Sequence, residues 1–177
     1  MSLATVLMGV LADGPAHGYD LKRSHDARFP GSRPLAFGQV YASLSRLQRD
    51  GLVEVASTEQ ESGPERTVYA LTEAGAASLS AWLGEVEPPA SYSADELVRK
   101  TVTALHAGVD AEEYLVRQRQ AHMDALRDLV RRRASLDGAD RVGEQIALDH
   151  TIAHLDADLR WLDESRERVA DHRRPEK

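Results

Sequence analysis

The change of hydrophobic period between Phe37 and Leu71 limits the folds open to this chain more than any other feature. Val40, Leu44 and Leu47 recur at helical spacing, and Gly51 follows where a residue free to take positive φ ends a helix. The next apolar runs, LVEVA at 52–56 and RTVYAL at 66–71, are short and β-like. The polar stretch between them carries a Gly-Pro turn signal, so a two-stranded hairpin is expected. The helix over 37–50 has a second side. With Val40, Leu44 and Leu47 turned inward, Gly38, Ala42, Ser45 and Arg49 fall opposite. Gln39 and Arg46 flank them on one edge and Tyr41 lies on the other. Small residues let the helix backbone approach a surface closely. A basic, nearly flat face suits a large partner of negative charge.

The upstream sequence completes a recognisable unit. Leu3, Val6, Leu7, Val10 and Leu11 follow the pattern of an amphipathic helix, which DGP at 13–15 breaks. AHGYDLKRSHDARF reads as a second helix and PGSRP at 30–34 as a turn. Thr72 is a good N-cap for a helix from Glu73 to about Leu83. Three helices followed by a hairpin form a winged helix, in which the third helix enters the major groove of DNA. The chain is therefore expected to be mainly α with a small β-hairpin. An N-terminal winged helix-turn-helix domain takes residues 1–84, a linker 85–93, and a C-terminal α-helical dimerisation domain 94–177. In the last of these, Ser93 with Glu96 and Asp110 with Glu113 fit capping boxes for helices near 94–107 and 111–136. A final helix is expected from about 141 to 170.

Composition agrees with a folded binder. The 177 residues are 42% hydrophobic and include no cysteine, which removes disulfide frameworks and thiolate metal or redox sites. No apolar run approaches the ~20 residues that span a bilayer, and the first residues lack a basic signal-peptide region. A cytoplasmic protein with no membrane partner and no cofactor is expected. The net charge of −7 argues against indiscriminate nucleic-acid binding. Its distribution is uneven: from His17 to Arg49, six cations (Lys22, Arg23, Arg28, Arg33, Arg46, Arg49) face Asp20 and Asp26, a local balance of +4.

HGYDL, GQVYASLSRLQRDGLVE and SGPERTVYALTEAGAASL, in this order and spacing, resemble the PadR family of bacterial transcriptional regulators over about residues 3–84. SADELVRKTVTALHAGVDAEEYLVRQRQAH resembles the helical C-terminal domain of its longer-chain subfamily. The resemblance implies a homodimeric repressor on a roughly palindromic DNA operator, released in some members by a small molecule, with phenolic or other aromatic compounds the first candidates. Two features depart from the family's usual pattern. Gln39 and Ala42 stand where Thr and Pro are common, and Glu65 adds a negative charge beside Arg66 in the wing.

On this reading Arg46 bonds guanine or phosphate and Gln39 pairs with adenine, while Ser45 and Arg49 share the same face. Tyr41 donates to a phosphate, which positions the protein without reading sequence. Lys22, Arg23 and Arg66 are either phosphate contacts or ordinary surface charges. Tyr19 either bonds a phosphate or packs behind the third helix. In the last helix Leu148, Ile152, Leu155, Leu159, Leu162 and Val169 form a nearly regular heptad stripe. Ile146, His150, Ala153, Ala157 and Trp161 lie opposite, so neighbours are expected on both sides. One is the 111–136 helix and the other a second subunit, with Leu148, Ile152, Leu155, Leu159, Leu162 and Trp161 as candidate dimerisation residues. The competing reading is a monomeric helical bundle. Trp82, Tyr92 and Trp161, near the domain junction, are either effector-pocket residues or core anchors.

His150 and His154 stand one helical turn apart, a spacing that can hold a metal; packing or solvent exposure is the commoner role, and no metal site is expected. The sequence has no G-x-S-x-G, P-loop or H-E-x-x-H motif, so no enzymatic activity is expected. The alternative to a DNA-binding regulator is a winged-helix scaffold that binds another protein.

Overall fold

The structure, a computed structural model, describes residues 3–59, 66–87, 96–108, 110–136, 138 and 141–172. The chain divides into two compact units, Met1–Pro88 and Pro89–Lys177. In the first, α1 (Leu3–Leu11), α2 (Gly18–Arg28) and α3 (Phe37–Arg49) precede strands β2 (Val53–Glu59) and β3 (Arg66–Leu71), and α4 (Glu73–Gly84) closes the unit. Leu7, Leu21, Val40 and Leu44, one or two from each of the first three helices, are fully buried in a common core with Leu47 and Val53. The strict periodicity of α3 thus has a direct cause, since each inward residue meets the core. Gly51 follows α3 at φ 72° and turns the chain into β2.

The sheet has three strands rather than two. A short strand β1 (Ala16–His17) pairs antiparallel with β3, Ala16 opposite Tyr69 and His17 opposite Val68, giving the order β1-β3-β2. The second helix therefore starts at Gly18, two residues later than the sequence suggests. Two residues are too few to show an alternation, so nothing in the pattern separates them from the helix that follows. Strand β2 also runs beyond Ala56 to Glu59, although its end is polar. Its residues 54–58 are exposed, so an apolar alternation is not required there. The β2–β3 register shifts between Val55 and Ser57.

Helix α4 is fixed by its first turn to the turn between α3 and β2. Thr72 accepts a hydrogen bond from the Gly75 N–H at 3.0 Å and donates one to the Gly51 carbonyl at 2.8 Å. A Cβ on Gly75 would lie 2.0 Å from the Leu52 carbonyl oxygen, so only glycine permits this approach.

The second unit holds α5 (Glu96–His106), α6 (Ala111–Ala134) and α7 (Val142–His172). Asp110 caps α6 by accepting from the N–H groups of Glu112 and Glu113 at 2.9 and 3.4 Å. Ser93, expected to cap α5, lies outside the described residues. Arg119 bonds Asp163 and Arg133 bonds Asp149, each at 2.7 Å. The partner steps back along α7 as the arginine advances along α6, so the two helices run antiparallel in a constant register. Ala111, Leu115, Leu162 and Val169 form a core, with Leu97, Tyr114 and Trp161 packed at its edge. Leu148, Leu159 and Leu162 of the heptad stripe are buried within the single chain, and Ile152 and Leu155 are partly buried. On the opposite side of α7, Ile146, His150, Ala153 and Ala157 are exposed.

Candidate nucleic-acid interface

Helix α3 presents the face that its period predicts. Gly38, Gln39, Tyr41, Ala42, Ser45, Arg46 and Arg49 are all exposed, while Val40, Ser43, Leu44 and Leu47 are buried. Arg46 has no ion-pair partner among the described residues, and Arg49 lies 3.8 Å from Asp50, with most of its side chain in solvent. Gln39 is already engaged. The N-cap, Ala36, has no capping side chain, and Gln39 Oε1 accepts the Ala36 N–H at 3.0 Å. Its amide NH₂ remains a donor, but the two-bond pairing with adenine also needs its oxygen. That oxygen has a second lone pair, so in such a pairing it would accept from Ala36 and from the base together.

Tyr41 packs against the start of α2. A Cβ on Gly18 would come within 2.7 Å of its ring, so Gly18 makes room for it. Tyr69 is close by: burial, and then the proximity of Tyr41, pushes its phenol above the ordinary value. Tyr19 is exposed, and its ring stacks on Phe37 with centroids 5.9 Å apart.

The cations of α2 divide. Arg23 is exposed and has no ion-pair partner among the described residues, whereas Lys22 Nζ bonds Asp26 Oδ2 at 2.7 Å. Arg28 is paired with Asp13. Part of the local positive charge is thus neutralised inside the unit. Arg66 opens β3; its side chain lies outside the described residues.

Asp26 was not apparent as a positioning residue from sequence. Besides Lys22, it takes the Leu35 N–H at 3.0 Å and contacts His25 Nδ1 at 3.2 Å. It therefore ties α2 to the loop that delivers α3. Burial opposes its ionisation, but the bonds from Lys22, Leu35 and His25 outweigh it and hold the carboxyl below its ordinary range. The Lys22–Asp26 spacing of one helical turn is the only local hint of this role, and it looks like a common surface pair.

Residues 7–81 match the transcriptional regulator PadR-like family, and residues 95–170 match the family described as virulence activator alpha C-term. The chain belongs to the PadR-like family of transcriptional regulators. A probable transcriptional regulator of Mycobacterium tuberculosis is 25% identical over 193 residues, covering 98% of this chain and all of that protein. The negative transcriptional regulator PadR of Bacillus subtilis is 26% identical over 98 residues, 55% of this chain and 54% of its own. Solved structures share the fold. Bacillus subtilis PadR in complex with operator DNA superposes with a TM-score of 0.76 at 21% identity, over 92% of this chain and 94% of that one. The same protein with p-coumaric acid gives 0.77 at 19%, over 95% and 98%. The Vibrio cholerae virulence activator AphA gives 0.75 at 21%, over 97% and 99%.

The remaining candidate residues of this PadR-like chain belong to other elements. Trp82 is partly buried on α4, in the first unit, and Tyr92 lies outside the described residues. Trp161, in the second unit, borders an open groove of 590 Å³ between α5 and α7, with Val98, Val102, Leu105, Val169 and Arg168 among its walls. His150 and His154 face each other with Nε2 atoms 3.1 Å apart, and no group of three or more His, Cys, Asp or Glu among the described residues could hold a metal. No helix among the described residues is long and apolar enough to cross a membrane.

Proposed function

We propose that this PadR-like protein is a homodimeric repressor that sets α3 of each copy into the major groove of a pseudo-palindromic operator in double-stranded DNA. One observation carries the reading: α3 buries Val40, Leu44 and Leu47 and leaves Tyr41, Ala42, Ser45, Arg46 and Arg49 open. A helix so exposed, with small residues between donors and a free arginine, has the chemistry for base edges and phosphates. The description of Bacillus subtilis PadR as a negative regulator, and its complex with operator DNA, support the repressor reading.

Pairing of two copies runs through the second unit. Leu148, Leu159 and Leu162 are spent on the chain's own core, so the seam uses what remains open on α7: Ile146, His150, Ala153 and Ala157. The α5–α7 groove is read as the effector site. Its apolar walls and Trp161 suit a flat aromatic body, and Arg168 suits a carboxylate. The p-coumaric acid complex of Bacillus subtilis PadR supports that class of ligand.

The test begins with selection of a preferred duplex from a random-sequence pool. Its affinity is then followed by fluorescence anisotropy from low to physiological salt. A regulator loses affinity steeply, because phosphate contacts release counterions. A protein that enriches no duplex is the scaffold instead.

A further inference from the structure

Phe37 is the first residue of α3 and is 46% exposed. By period it lies one heptad before Leu44, on the core side of the helix. Leu35 before it and Val40 after it join the core, however, and Phe37 does not, so its ring is left at the surface rather than filling the interior. It is nevertheless held. Tyr19 near the start of α2 stacks on it at an interplanar angle of 18°, and Lys22 Nζ stands 5.4 Å from its centroid. Asp26 holds Lys22 and, through the Leu35 N–H, the loop just before α3. A large apolar ring is thus oriented by neighbours on α2 and left open at the N-terminal end of α3. In helix-turn-helix proteins that end of the recognition helix is the part that meets base edges.

We infer that Phe37 reads a thymine in each half-site by packing on its C5-methyl group. The inference rests on the DNA-binding reading above. The chemistry favours thymine because its methyl is the apolar group that a base pair shows in the major groove. A phenyl ring has no donor or acceptor with which to read any other edge. Tyr19 and Lys22 act as positioning residues. They fix the ring, and Asp26 in turn holds the Lys22 ammonium in place.

The experiment uses the full chain and its selected duplex. Each thymine of a half-site is replaced in turn by deoxyuridine, which removes only the methyl group. At one position the wild type should lose about fourfold in affinity per half-site, the worth of one buried methyl group. Phe37→Ala should bind the thymine duplex more weakly and show no further loss with uracil there. Phe37→Leu, an apolar replacement, should retain part of the discrimination, and thermal melting checks that both variants fold. If wild type loses nothing to uracil at any position, or Phe37→Ala is as sensitive as wild type, the inference is overturned and the DNA-binding reading stands. A chain that enriches no duplex overturns both.

Discussion

Asp26 accepts from a side chain on its own helix and from the backbone of the loop beyond it, so one carboxylate holds both sides of the turn before α3. Replacing it with Asn keeps the shape and removes the charge. The cost expected is about 1–2 kcal/mol in urea unfolding, since bonds to charged groups are worth more than neutral ones. The sign with pH follows from its depressed folded-state pKa. Its contribution is fully present above the unfolded aspartate value of about 3.9 and disappears as pH falls through the lower folded value. Wild type and Asp26→Asn should therefore differ near neutrality and converge in acid; a gap that persists at the lowest pH would exclude the carboxylate as its source. On α3, Arg46→Ala should weaken specific binding by about 1–3 kcal/mol if the guanidinium reads a base, and should weaken all duplexes alike, with a smaller salt slope, if it touches phosphate. Anisotropy on the selected and a scrambled duplex distinguishes these. Unchanged binding to both would mean that α3 is not the docking helix.

Helix α4 depends on its cap as α3 depends on Asp26. Thr72→Ala removes both the bond to Gly75 N and the bond to Gly51 O. It should cost about 1–2 kcal/mol, largely restored by Thr72→Ser, as thermal melts would report. Elements of this kind were legible in the sequence because their signals are local: the Thr72 cap, Gly51 after α3, and the period of Val40, Leu44 and Leu47 all lie within a few residues of what they determine. What escaped is set by partners distant in sequence. β1 is two residues long and exists only because β3, some fifty residues later, pairs with it. The face of α3 could be read from its period, but Gln39 serving as a cap could not, because that depends on Ala36 offering no capping side chain of its own. The heptad stripe on α7 was equally visible. Which helix covers it is a matter of packing: Leu148, Leu159 and Leu162 are buried within one chain.

At the scale of the whole molecule, a repressor with two DNA-reading units needs a fixed spacing between them, since successive major grooves on one side of a duplex are roughly 34 Å apart. The proposed α7 seam sets that spacing, and Ile146, 64% exposed in the single chain, is its largest apolar side chain. Ile146→Asp would bring an unpaired charge into the seam, at a cost that should shift sedimentation from dimer toward monomer. An intact dimer would place the seam elsewhere. Release by an effector makes a stricter demand. A ligand in the α5–α7 groove can drive the protein off DNA only by preferring the state with the wrong spacing, and a preference of about 100-fold supplies near 2.7 kcal/mol of coupling, within the usual range. Linkage then requires the operator to weaken ligand binding by the same factor. p-Coumaric acid and related aromatic acids are titrated against the free protein and against the operator complex, with Trp161 fluorescence as the reporter and Trp161→Phe as its control. Arg168→Ala should weaken carboxylate ligands and leave the matching uncharged amides unaffected. A compound that binds both forms equally shifts no population, however tight it is. If every compound that enters the groove behaves so, the groove is not where release is controlled.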